Sequence, residues 1–255
     1  AFLFSGVFAT TLIIFNNPEN KWRGYEQEWN TTDSLINLQL PESALVFVEE
    51  IYDHAKAENN GSQLIKSLIY LSKLNIAMLE DGEMQAIELF KSEIRTANAP
   101  VKNILQSMLA EVYENYLLDY YYSIYNNYDD KIQESDISTW TTKKMKGEIY
   151  DLYVSSIKDT DILKSTPVST YKEILWKVAP EYEKLRPTLY DILAHRALDN
   201  FLSESTYLTD PAYKYSISDT IVFADNRKFA EHNFYFNDTL FGKELGLSLL
   251  QDLTR

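Results

Sequence analysis

From Leu40 onward, apolar residues recur every three or four positions, and this recurrence limits the chain's possible folds more than any other feature. The stretch PESALVFVEEIYDHAKAENN places Ala44, Leu45, Val48, Ile51, Tyr52 and Ala55 at helical spacing. Pro41 stands where a first helical turn tolerates a missing N–H. Asn59-Asn60-Gly61 ends this helix, since Asn and Gly accept the left-handed conformation. SQLIKSLIYLSKLNIAMLE follows, with Ser62 as its expected N-cap and Leu64, Ile65, Leu68, Ile69, Leu71 and Ile76 on a broad apolar face. Asp81-Gly82 makes the next break.

EMQAIELFKSEIRTANA then repeats the first helix at an offset of 42 residues, Ala44-Leu45 matching Ala86-Ile87 and Phe47-Val48 matching Leu89-Phe90. PVKNILQSMLAEVYENYLLDYYYSIYNNY is the second partner helix, again with a proline near its start. Residues 41 to 125 are therefore expected to form four helices in two antiparallel hairpins, with breaks near Asn60, Asp81 and Ala99. A period of about 40 residues lies between those of tetratricopeptide and HEAT units, so the expected class is mainly α with a helical-repeat arrangement. Only seven Gly and seven Pro in 255 residues favour long helices over many short strands.

DDKIQESDISTW reads as a loop leading to Trp140. A further helix is expected over TTKKMKGEIYDLYVSSI, then a loop KDTDILKSTPVS, a short helix YKEILWKVA and a helix opening near Pro187. AYKYSISDTIVFAD and HNFYFNDTLF are rich in β-branched and aromatic residues and read as extended segments near the C-terminus. LFGKELGLSLLQDLTR is a terminal amphipathic helix. The expected organisation is a leader over 1–17, a helical-repeat domain over 18–203, and extended segments plus a terminal helix over 204–255. AFLFSGVFATTLIIF carries no charge and is shorter than the roughly 20 apolar residues of a membrane span, which matches the apolar core of a secretory signal. Export is the expectation.

A net charge of −14 with no Lys/Arg cluster argues against binding a phosphate backbone. The absence of cysteine excludes disulfides, thiolate metal sites and Cys nucleophiles. Phosphate-cradling glycine motifs, a G-x-S-x-G elbow and H-E-x-x-H are all missing. No cofactor is expected.

Two stretches remain to be weighed. Residues 113 to 128 hold seven tyrosines, Tyr113, Tyr116, Tyr120, Tyr121, Tyr122, Tyr125 and Tyr128. Such a run can mark a binding face, but spacings of three and four suit the rim of a packed helix, and that reading is preferred. In RPTLYDILAHRALDNF, Asp191, His195 and Asp199 line one stripe beside Arg196, while His54 and His232 are the other two histidines. A ladder of i, i+4 and i+8 spans about 12 Å, so its ends cannot share one ion. A helix-surface ion pair is the simpler account of Asp191 and His195. No catalytic, cofactor-binding or metal-binding residue is assigned.

The ordered set YEQEWNTTDSL (25–35), LPESALVFVEEIYDHAKAENN (40–60), QLIKSLIYLSKL (63–74), NILQSMLAEVYENY (103–116), RPTLYDILAHRALDNF and LGLSLLQDLTR resembles the N-terminal region of the alpha-2-macroglobulin-like proteins of Bacteroidetes. The resemblance implies an exported protein, periplasmic or anchored at the envelope, whose family traps proteases when a bait segment is cleaved. It also implies proteases as partners of the parent protein, and other envelope proteins as possible partners of this region. With no cysteine, these residues hold no thioester, and the implied role is a non-catalytic scaffold or docking module. Two rivals stand beside it. One is a free-standing helical-repeat protein whose concave face binds a peptide or glycan, and the other is a metal-dependent enzyme using His195 and Asp191.

Overall fold

The computed structural model describes residues 22–174, 184–203, 220–234 and 243–254. Five helices come first: α1 (Tyr25–Asn37), α2 (Pro41–Ala57), α3 (Gly61–Met78), α4 (Gly82–Thr96) and α5 (Val101–Asp119). Then come α6 (Tyr121–Tyr125), α7 (Thr142–Ser156), α8 (Thr160–Ser165), α9 (Leu189–Leu202), α10 (Asn226–Glu231) and α11 (Lys243–Thr254). Among the described residues there is no strand, only the isolated bridges Gln133–Asp136 and Pro167–Thr188. The protein is mainly α.

The four helices expected over 41–125 form, with breaks at 58–60, 79–81 and 97–100. Each connector is short and joins helices that pack on each other, which makes the pairs antiparallel. Asn59 takes φ 54°, the left-handed turn that releases α2. The N-cap of α3 is Asn60 rather than Ser62, since the Asn60 side chain accepts a hydrogen bond from the Gln63 N–H at 3.3 Å. At the next break a Cβ on Gly82 would lie 2.2 Å from the Asn75 carbonyl oxygen, so only glycine lets α4 leave so close to α3.

Three features differ from expectation. Helix α1 was not foreseen because its pattern is polar, with only Trp29 as a large buried apolar side chain. The Arg23 side chain donates to the Glu28 carboxylate at 2.9 and 3.0 Å, and this holds the Glu28 carboxyl below its ordinary value. The helix expected to run on toward Tyr128 breaks at Tyr120, and α6 turns Ile124 into the core against the 137–139 turn and α7. The loop after α7 contains α8, anchored by the fully buried Leu163.

The tyrosine run is mostly unpacked. Tyr113 is buried and Tyr116 is half-buried, but Tyr120, Tyr121, Tyr122, Tyr125 and Tyr128 are exposed, Tyr122 at 84%. The packed-rim expectation therefore fails for five of the seven, because the chain leaves α5 at Asp119 and no helix among the described residues covers the outer side of α6. At the other end of the chain, residues 220–223 of the expected extended segment form a 3₁₀ turn. Asp225, the last residue of that segment, caps α10, its carboxylate accepting from the Lys228 N–H at 3.1 Å. Residues 224–225 and 232–234 of those extended segments form no strand, and residues 212–219 and 235–241, most of the YKEILWKVA helix and the leader lie outside the described residues.

Two apolar cores share one wall. The smaller joins Trp29, Ala44, Val48, Ile51, Leu71 and Leu74 from α1, α2 and α3. The larger runs from Ile65 and Leu68 of α3 through α4, α5, α7 and α9 to Leu249 of α11. Helix α11 thus belongs to the same core as the helices before 203, and Asp252 ties it down by accepting from Tyr190 Oη at 2.7 Å and Lys164 Nζ at 3.1 Å. Leu68 is fully buried, so Leu68→Asp should destabilise by roughly 3–5 kcal/mol, as an unpaired charge in a packed interior does. Urea unfolding monitored by circular dichroism measures it, and a wild-type midpoint would contradict the core described here.

Candidate functional site

The sequence singled out Asp191, His195 and Asp199, and the structure disperses their roles. Thr188 and Asp191 form a capping box at the start of α9: the Asp191 N–H donates to Thr188 Oγ1 at 3.3 Å, and the Thr188 N–H donates to the Asp191 carboxylate at 2.9 Å. The His195 ring meets the Asp191 carbonyl oxygen through Nδ1 at 2.6 Å, not its carboxylate. The expected Asp191–His195 ion pair is therefore replaced by a cap and a side chain-to-backbone contact. Asp199 is exposed one turn further on.

Arg196, beside that stripe, reaches across to α5. Its Nε donates to Ser107 Oγ at 2.8 Å and its Nη2 to Glu111 at 2.7 Å. Glu114 accepts from Tyr153 Oη at 2.8 Å and from Asn200 Nδ2 at 2.6 Å, joining α5, α7 and α9. These polar bonds clamp three helices together. The other two histidines lie elsewhere, His54 stacked on Trp22 at 3.8 Å and His232 against Phe234 at 4.8 Å. Among the described residues no three His, Asp or Glu side chains converge as a metal shell would require.

The site that chain folding does assemble lies between α2 and α4. These are the first helices of the two hairpins, so they run in the same direction with α3 behind them. The groove between them encloses about 610 Å³. Leu45 and Tyr52 of α2, Leu71 of α3 and Leu89 of α4 contribute apolar surface, while Asn75, Gln85 and Ser92 add amide and hydroxyl groups. Glu49 and Asp53 stand on the α2 wall and Glu88 on the α4 wall.

One polar junction holds the two walls together. The buried Glu93 of α4 accepts from Tyr52 Oη and, at 2.7 Å, from Lys56 Nζ, both on α2. Hydrogen bonds from both groups satisfy a carboxylate that burial would otherwise penalise. The hydrogen bond to Glu93, and then that to Tyr52, raise the Lys56 ammonium above its ordinary value. Burial, and then the Glu93 bond, raise the Tyr52 phenol.

Higher on the same wall, nothing among the described residues compensates two carboxylates. Glu49 and Asp53 have no ion pair among the described residues, whereas Glu88 holds Lys91 at 2.8 Å. Although Glu49 is exposed, partial desolvation in the groove, and secondarily the charge of Asp53, raise its carboxyl above the ordinary value. Little in the sequence announces this wall, because two carboxylates four apart on a helix read as a solvated face. The 42-residue repeat was the usable signal, since stacked hairpins place alternate helices side by side.

Two outcomes follow. A carboxyl raised in the folded state costs stability when ionised, so Glu49→Gln should raise the melting temperature at pH 7, with the gain vanishing as pH falls below the ordinary Glu value of about 4.3. Calorimetry across that range checks the sign. Thr188→Ala should cost about 1 kcal/mol through loss of the α9 cap, read from denaturant unfolding.

No family model matches the chain, and neither a curated protein nor a solved structure shows significant similarity to it.

Proposed function

We propose that the chain is a non-catalytic helical scaffold that docks a segment of another protein in the groove between α2 and α4. The observation that carries this reading is the groove itself: an open cleft with apolar side chains at its base, peptide-compatible amides within it and charge on its walls. The Asp191 carboxylate accepts from Thr188 at a helix cap, which favours a structural role for that residue. The stretches quoted at the outset resemble the N-terminal region of Bacteroidetes alpha-2-macroglobulin-like proteins, and this resemblance supports placing the scaffold in an exported protein of that kind. Trapping of proteases would then belong to other domains of the parent.

Photo-cross-linking tests the docking. A benzophenone side chain in place of the exposed Gln85, at the groove rim, should give a discrete protein adduct in the native cell. The same group in place of the exposed Lys143, on α7, should give none. Glu88→Trp, which fills the groove from its rim, should suppress the adduct. Equal adducts from both positions, or none from Gln85, would remove the docking reading. For the parent protein, the gene read past Arg255 is decisive: serial β-sandwich domains support the macroglobulin-like setting, and an immediate stop codon removes it.

A further inference from the structure

We infer that the occupant of the α2–α4 groove is a basic amphipathic segment of a partner protein, with Lys or Arg side chains on Glu49 and Asp53 and apolar side chains on the Leu45, Tyr52 and Leu89 surface. This inference rests on the docking reading and names the chemistry of its ligand. Charge complementarity is the first argument. The neighbouring cations are already committed, Lys56 to Glu93 and Lys91 to Glu88, so the α2 wall keeps two carboxylates with no ion-pair partner among the described residues. Like charges four apart on a helix repel, and a cation between them converts that cost into attraction.

The second argument is what the groove would reject. A metal ion needs ligands converging on one point, and among the described residues no such group of three exists. Separated carboxylates instead suit separated cationic side chains. Glu49 and Asp53 are one helical turn apart, about 6 Å along the axis, close to the spacing of alternate residues in an extended peptide or of residues four apart in a helix. The apolar base distinguishes an amphipathic segment from a bare polyamine, which would leave Leu45 and Leu89 in contact with water. The Asn75 amide can both donate and accept, as a bound backbone requires, while Gln85, whose Nε2 donates to Asp81 at 2.9 Å, presents its carbonyl oxygen. The overall charge of −14 adds long-range attraction for a basic partner.

The test uses a fluorescein-labelled leucine–lysine peptide of about a dozen residues, roughly two to three helical turns, titrated with the whole chain at about 0.15 M salt and read by anisotropy. Saturable one-to-one binding is expected, with none by a leucine–glutamate peptide of the same pattern. Glu49→Gln with Asp53→Asn should weaken binding about tenfold, while Asp119→Asn with Asp151→Asn, exposed carboxylates elsewhere, should leave it within about twofold. Equal weakening by both pairs, or equally tight binding of oligolysine, would overturn the inference by reducing it to general attraction toward an acidic chain. Competition separates it from the docking reading. If the Gln85 adduct forms but excess leucine–lysine peptide does not displace it, docking stands and the basic occupant falls.

Discussion

Helix α3 is the wall on which both cores depend. Ile65 and Leu68 face the larger core, and Leu71 and Leu74, one to two turns on, face the smaller. A helix buried on two sides needs a broad apolar face, and its sequence supplies one. It also carries polar groups into the interior, and it satisfies only some of them, since the Ser62 and Ser72 hydroxyls have no hydrogen-bond partner among the described residues. Gln63 is satisfied by accepting from Trp29 Nε1 at 2.6 Å, and Ser67 by donating to the Leu64 carbonyl at 2.8 Å. Because one rigid element serves both cores, α1 and α2 cannot shift against α4 and α5 without disturbing packing on each side. That rigidity is what gives the α2–α4 groove a defined shape.

Where the sequence was legible, two signals coincided. Helices α2 to α5 show apolar spacing bounded by Asn59-Asn60-Gly61, Asp81-Gly82 and Pro100, so period and punctuation agree. Helix α1 lacks that agreement. Its burial rests on Trp29, Thr32 and a Glu28 made tolerable by Arg23, a pairing that no periodic pattern announces. Residues 220–223 misled in the opposite sense, since β-branched residues suggest a strand but a strand needs a partner, while a 3₁₀ turn closes on itself.

The site was less legible than the fold, for a physical reason. Asp191, His195 and Asp199 attract notice through residue type, yet residue type does not reveal that a carboxylate is engaged at a cap. Glu49 and Asp53 attract none on their own helix. Their meaning comes from Leu71 behind them and Leu89 and Glu88 opposite, which only tertiary stacking brings near. The exposed tyrosines show the same limit, since spacing identifies a stripe but cannot say whether another helix arrives to cover it.

At the 42-residue offset, Ala44 corresponds to Ala86 and Val48 to Phe90, buried in both copies, but Ile51 corresponds to Glu93. In the first hairpin that place is hydrocarbon. In the second it is an anion that reaches back to Tyr52 and Lys56 of the first. Identical units could stack in any order or exchange between molecules, as chains of interchangeable repeats can. This one substitution makes the two hairpins a key and its lock. A second copy of the first hairpin, placed where the other belongs, would bring an isoleucine to meet a half-buried phenol and a half-exposed ammonium, and the carboxylate that answers both would be gone. Sequence divergence between the copies therefore encodes their order.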